Sequence, residues 1–311
     1  MPTLPANFPL GEALALLAPL SWSVAVVFFR RAGALPPLSI NLFKNVLAIV
    51  LLGLTMVALG TGLPAERPAA DWLRLAVSGI IGIAIADTLL FEGLRRIGAA
   101  RLAIVDTAYA PVVVLLSWAF LGERPSGGFA LGAALVVGGV ALASLPARGG
   151  PAGPEAVGGA AANRRELALG TGMALMAIAG TACGVVIAKP VLASADLVEA
   201  TWTRLVAGVA AMAVWVRVGG RGAEAAAAFR PARVWWALVP GALIGAYVSL
   251  LLWLGGYKWA DASVAAVLNQ LATVYMLVLA RLALGERVRP RQVAGGAVAA
   301  VGALVVVLGP G

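Results

Sequence analysis

Histidine is absent from this 311-residue chain, and cysteine occurs once, at Cys183. No disulfide framework and no His/Cys metal site can therefore be built within one chain. The lack of histidine also removes the commonest general base. Charge is scarce too: Asp, Glu, Lys and Arg make up 12% of the residues, about half of the roughly 25% found in soluble domains. No Gly-x-x-x-x-Gly-Lys-Ser/Thr segment occurs, so coupling to ATP within the chain is not expected. No cofactor is expected either. The first eleven residues carry no Lys or Arg, and no small-residue cleavage site precedes Arg30. A retained first helix is expected rather than a signal peptide.

What the chain has instead is apolar sequence, 61% of it. It falls into about ten runs of roughly 17–25 residues, each long enough to cross ~30 Å of hydrocarbon as a helix. The expected spans are 10–29, 38–60, 72–92, 98–121, 127–146, 166–188, 197–218, 234–256, 261–283 and 290–308. The expectation is an all-α polytopic membrane protein whose nonprotein surroundings are membrane lipids. The formal charge of +9 would raise nucleic acid as a partner in a soluble protein. Here the basic residues are scattered between spans, as in cytoplasmic loops, and no nucleic acid is expected.

Leu121-Gly122-Glu123-Arg124 returns as Leu284-Gly285-Glu286-Arg287, a shift of 284 − 121 = 163. The same shift places Gly132 on Gly295, Gly139 on Gly302 and Asp106 on Asn269. Self-similarity of this length marks a duplicated unit. Residues 1–146 form a first repeat, 147–165 a linker rich in Gly, Ala and Pro, and 166–311 a second repeat. Five spans per half is an odd number, so the two repeats are expected to be inverted relative to each other. Glu123 and Glu286 are expected in loops, paired with Arg124 and Arg287.

The loops after spans one, three, five, seven and nine hold most of the arginines, among them Arg30, Arg31, Arg95, Arg96, Arg164, Arg165, Arg230 and Arg289. The opposite side has only Arg67, Arg74, Arg124, Lys189 and Lys258. The positive-inside rule makes the first set cytoplasmic and both termini external. Gly128/Gly132, Gly180/Gly184 and Gly241/Gly245 form Gly-x-x-x-Gly pairs, expected to serve helix packing within the chain rather than dimerisation. Pro19, Pro111 and Pro240 are expected to kink their helices.

Several polar residues lie where lipid disfavours them. Asn41, Lys44 and Asn45 form a stripe on span two, with Lys44 ~9 Å inside at 1.5 Å per residue. Asp87 and Asp106 lie at a similar depth on spans three and four. An ion pair or proton relay of Lys44, Asp87 and Asp106 is expected, or a structural pair of Lys44 with one carboxylate. A shift of 160 places Arg204 on Lys44 and Thr201 on Asn41, whereas past the longer loop after span seven the shift of 163 turns Asp87 into Leu250. Arg204 is then short of intramembrane carboxylates and suited to bind a substrate carboxylate; the alternative partner is Glu199. Trp22, Tyr109, Trp202, Tyr247, Trp253 and Tyr275, with Asn269, Gln270 and Thr273, are expected to line the cavity. Trp72, Trp235, Trp236 and Trp259 fit the interfacial belt.

This pattern resembles the EamA family of the drug/metabolite transporter superfamily. The resemblance rests on two five-span units, each closing with Leu-Gly-Glu-Arg and a Gly/Ala-rich last helix. Lys189, Arg204 and Pro111 stand at matching positions, and Val274 departs by replacing the second proline. The resemblance implies a transporter, not an enzyme, that exports small-molecule substrates such as amino acids or related metabolites. The aromatic content is similar to that of bacterial exporters of aromatic amino acids. The expectation is a monomeric secondary transporter of the bacterial inner membrane, working by alternating access, with spans five and ten peripheral. Export of cationic drugs is the alternative, an ion channel is less well suited to one pseudo-symmetric chain, and a lipid-modifying enzyme with an Asp87/Asp106 dyad is the remote one.

Overall fold

The computed structural model describes residues 9–32, 35–97, 99–144, 164–230, 232–284 and 289–308. Among these residues the regular elements are all helical. The first half contains α1 (Leu10–Arg31), α2 (Pro37–Leu59), α3 (Ala69–Gly79), a π-helical segment (Ile80–Ala86), α4 (Asp87–Ile97), α5 (Ala99–Asp106), α6 (Tyr109–Leu121) and α7 (Gly127–Ser144). The second contains α8 (Arg164–Ser194), α9 (Leu197–Val218), the short α10 (Gly222–Ala225), α11 (Trp235–Ala242), a second π-helical segment (Leu243–Val248), α12 (Ser249–Trp259), α13 (Ala262–Asn269), α14 (Ala272–Leu284) and α15 (Pro290–Leu308). Nine stretches among the described residues are long and apolar enough to cross a membrane, and the shorter apolar stretch Ala262–Met276 takes the place of the ninth expected span. Most of the expected linker, Glu286 and Arg287 lie outside the described residues.

Inversion is visible in how equivalent helices meet. A Cβ on Gly132 would touch Gly302 and Val306, whereas one on Gly139 would touch Gly295 and Ala299. The partner number falls as the residue number rises, so α7 and α15, the matching last spans, run antiparallel. The two pack mainly on each other, as expected of peripheral spans. The remaining helices pair across the halves in the same way. Gly11 and Gly256 bring α1 against α12, with Gly241 and Gly245 against Phe29 and Ala25 of α1. Gly170, Gly180 and Gly184 bring α8 against α4 and the Ile80–Ala86 segment. In lipid, backbones pack closely where side chains are small. Five of the six expected Gly-x-x-x-Gly positions thus make contacts within the chain, and Gly128 meets only the hydroxyl of Ser126.

Spans three, four, eight and nine are not single regular helices. The π-helical segments occupy matching places, since 243 − 80 = 163. Span four breaks at Thr107–Ala108 and span nine at Gln270–Leu271, again related by 163. Pro111 sits in the first turn of α6, just past the break, instead of kinking the middle of a span. Span nine breaks at the same place with Val274 in the proline's position, so proline is not what sets the break. Pro240 lies inside α11, three residues before the second π-helical segment. Irregular backbone at this depth is tolerated where it is buried in protein or lines a cavity. Gly122 closes α6 with φ 72°, a left-handed conformation that fits the glycine of the Leu-Gly-Glu-Arg segment.

Candidate functional site

The polar stripe of α2 is buried and internally connected. Lys44 Nζ lies 3.6 Å from Asp87 Oδ2 at the start of α4. The same ammonium donates to Asn45 Oδ1 at 3.2 Å, and Asn45 Nδ2 donates to Asn41 Oδ1 at 3.2 Å. Asn41 Nδ2 points to Met212 Sδ at 3.8 Å. Trp22 of α1 places its ring 5.8 Å from the ammonium. An ion pair in lipid survives when charge and lone pairs are both met in this way. Asp106 does not join it. Among the described residues its carboxylate has no ion-pair or hydrogen-bond partner, and the residue is exposed to open space. The expected relay of three groups is therefore a pair, because α4 turns Asp87 toward α2 whereas Asp106 ends α5 at the helix break.

Arg204 on α9 is 3% exposed. Its Nε donates to Ser78 Oγ at 2.8 Å, and Ser78 in turn donates to the carbonyl of Gly184. Ser78 thereby orients the guanidinium by one edge. The plane lies 6.0 Å from the Trp253 ring. Its backbone reaches this place because Gly79 abuts the Arg204 carbonyl, where a Cβ would be 2.1 Å away. Among the described residues no carboxylate lies within ion-pair distance, and its terminal nitrogens are not sealed from space. The alternative partner, Glu199, is engaged elsewhere: Arg67 grips it through both nitrogens at 2.6 and 2.5 Å.

The two helix breaks meet beside these groups. Gln270 Nε2 donates to the Asp106 carbonyl at 3.0 Å, joining the broken ends of spans nine and four. Its Oε1 is buried without a hydrogen-bond partner. Tyr109, the first residue of α6, shares a hydrogen bond of 2.7 Å with the hydroxyl of Tyr257, whose ring packs edge-on against Trp253 at 5.1 Å. Asn269 Nδ2 donates to the Ala265 carbonyl at 2.8 Å. Thr273 and Tyr275 are half-buried on α14. Tyr247 bonds Thr55 through its hydroxyl at 2.7 Å, and Trp202 packs with it against Leu52 and Ala246. Trp202 on α9 and Tyr247 on the second π-helical segment thus both pack against α2.

A family profile described as the EamA-like transporter family matches residues 9–145 and again 168–308. The chain belongs to the EamA-like transporter family. As a member it is a multi-pass membrane transporter built from two repeats. Twenty-seven chains of solved structures match it. One of them, described only as the crystal structure of a protein, has a TM-score of 0.76 over 96% of each chain at 20% identity, a likeness of fold. No curated protein matches the chain.

Within this EamA-like fold the repeated motif has a different role from the expected local pairing. Glu123 accepts from the backbone nitrogens of Ala262 and Ser263 at 2.7 and 2.9 Å, and from Ser263 Oγ at 2.6 Å. Its carboxylate thus caps the N-terminus of α13, where unpaired N–H groups and the helix dipole favour negative charge. The first repeat's motif holds the broken helix of the second. Lysines do the converse. Lys189 donates to the carbonyls of Tyr257 and Ala260 at the end of α12, and Lys258 to those of Leu192 and Ala195 at the end of α8. Neither points to a substrate role.

Sequence reasoning missed Ser78 and Tyr257. A serine in an apolar run carries no signal of its own, and Tyr257 lies past the expected end of span eight, where an interfacial role reads equally well.

Proposed function

We propose that the protein is a secondary transporter of the bacterial inner membrane that exports amino acids, aromatic ones among them, or related carboxylate-bearing metabolites by alternating access. The observation that carries this reading is Arg204: a guanidinium buried in the bundle, fixed by Ser78 and lacking a carboxylate partner among the described residues. A planar fork held by one edge presents its remaining donors to a carboxylate. Gln270 Oε1 and the Asp106 carboxylate, neither with a hydrogen-bond partner among the described residues, supply acceptors for an ammonium group. Trp253, half-buried and packed on the buried Tyr257–Tyr109 pair, offers a ring for an apolar side chain. The substrate then lies at the breaks of spans four and nine, as in transporters whose discontinuous helices frame a midplane site. An unpaired arginine disfavours a purely cationic drug. Loops rich in arginine face the cytoplasm in this reading, and the termini face outward.

Counterflow of labelled tryptophan, phenylalanine and threonine into proteoliposomes tests it. Arg204→Gln is expected to weaken apparent affinity by about 10- to 100-fold, the value of a charge-assisted hydrogen bond. Arg204→Lys keeps the charge without the fork and is expected to fall between. Unchanged counterflow in Arg204→Gln, or equal transport of tryptamine and tryptophan by the wild type, refutes the reading.

A further inference from the structure

Each end of the bundle carries a contact between a helix of one repeat and a loop of the other, at related places in the two repeats but of different chemistry. At one end the α2–α3 loop of the first repeat meets the first turns of α9. Arg67 donates through two nitrogens to Glu199, Thr203 Oγ1 donates to Glu199 Oε1 at 2.9 Å, and the guanidinium lies 4.7 Å from the Trp72 ring. The Arg67 and Glu199 side chains are 7% and 1% exposed. A cavity of about 510 Å³ lies against this contact, lined by Glu66, Asp71 and Asp196 among others.

The repeat relation carries Glu199 to Ser39 and Thr203 to Phe43 by 160, and Trp72 to Trp235 by 163; the same 163 places Arg67 on Arg230, next to Phe229, so Arg67 itself has no counterpart in the second contact. Ser39, Phe43 and Trp235 meet as well, joined by Phe229, where the first turns of α2 touch the loop between α9 and α11. Ser39 Oγ donates to the Ala225 carbonyl at 3.1 Å and accepts from the Ala228 nitrogen at 2.5 Å. Phe43 packs against Phe229 at 5.2 Å and Trp235 at 6.0 Å, and Trp235 Nε1 donates to the Ala228 carbonyl at 3.2 Å. Each contact ties a helix of one repeat to a loop of the other.

We propose that these contacts are the two gates of the transporter, an ionic latch of Arg67, Glu199 and Trp72 at one face and an aromatic latch of Phe43, Phe229 and Trp235 at the other. The proposal rests on the alternating-access reading but not on the identity of the substrate. Opening the ionic end separates a buried arginine from its carboxylate, whereas opening the other uncovers the buried Phe43 ring, parts it from two rings that are already partly exposed, and breaks two neutral hydrogen bonds. The two steps therefore respond to different substitutions.

Labelling by a membrane-impermeant maleimide from each face, in a Cys183→Ser background, tests this without any substrate. Reporters are Thr201→Cys, two residues inside Glu199, and its counterpart Asn41→Cys, two residues inside Ser39. Arg67→Ala is expected to speed labelling of Thr201→Cys from the latch face about tenfold and to slow labelling of Asn41→Cys from the other, as a shifted two-state equilibrium requires. The exchange Arg67→Glu with Glu199→Arg is expected to restore the slow rate, and Phe43→Ala to reverse the pattern. If Arg67→Ala does not fold, Arg67→Lys, which keeps charge but gives up the fork and the stacking, is expected to speed labelling about threefold. Unchanged labelling in the folded Arg67 variant overturns the latch. Rates rising at both faces together overturn alternating access and with it the gates. Normal gating in a protein that carries no amino acid supports the latches and removes only the substrate reading.

Discussion

Gly138 and Gly139 are neighbours on α7 with opposite surroundings, and exchanging each for alanine separates helix propensity from helix packing. A Cβ on Gly138 meets nothing within 4 Å. Gly138→Ala is therefore expected to raise stability by up to about 1 kcal/mol, the backbone entropy that glycine loses on ordering. A Cβ on Gly139 would sit 2.5 Å from the Ala299 nitrogen and 2.6 Å from the Gly295 carbonyl oxygen, both backbone atoms of α15. Ordinary contact starts at 3.4 Å, so α15 must retreat by 3.4 − 2.5 = 0.9 Å. A gap of that size forfeits a quarter to a half of the dispersion energy of each contact along the seam. Overpacking of this kind costs about 1–3 kcal/mol, against which the propensity gain is smaller. Gly139→Ala should therefore unfold at a lower temperature than wild type, and Gly138→Ala at or above it. Thermal unfolding of the detergent-solubilised protein, followed by tryptophan fluorescence, measures the order of the three midpoints. Equal midpoints for the two variants, or a higher one for Gly139→Ala, would refute the antiparallel α7–α15 seam.

Two further outcomes follow from the site. Glu123→Ala removes the cap of α13 and is expected to destabilise the protein by about 0.5–2 kcal/mol, with Glu123→Asp intermediate because its shorter arm reaches fewer of the three donors; an unchanged unfolding midpoint counts against the capping role. Lys44→Met and Asp87→Asn are each expected to be more harmful alone than their sum in the double variant suggests, with a coupling of about 0.5–3 kcal/mol read from a double-mutant cycle on unfolding midpoints and counterflow. Strict additivity would show that the 3.6 Å approach is not an interaction.

Much of the frame is legible in the chain without coordinates. Apolar runs long enough to cross hydrocarbon must be helical, because lipid offers the backbone no other partner. The 163-residue repeat, together with an odd number of spans, leaves inversion as the consistent arrangement. Depth sets Lys44 and Arg204 inside their spans with snorkelling to an interface as the alternative, and the structure buries both; the loss of Asp87 at Leu250 leaves Arg204 short of a carboxylate. The same depth reasoning placed Asp106 with Lys44, and this failed. Depth fixes position along the membrane normal but not the azimuth of a side chain, and the break after Asp106 changes that azimuth. Glu123 shows the same gap: sequence spacing offered Arg124 as a neighbour, whereas the partner is a helix terminus 139 residues away.

The sequence by itself thus determined that the protein spans a membrane with helices in two inverted repeats, because hydropathy, span number and repeat register are one-dimensional properties. Only the tertiary structure decided which charges are paired and which have no ion-pair partner among the described residues. Glu199 belongs to Arg67 and not to the nearer Arg204, since the bidentate geometry comes from a loop of the other repeat. Arg204 is left with Ser78, because α3 and α9 touch at Gly79. The first copy of the Leu-Gly-Glu-Arg segment, whose recurrence reveals the duplication, holds the second repeat's broken helix in place through Glu123 for the same reason: a carboxylate is bound wherever the fold brings unpaired N–H groups to it.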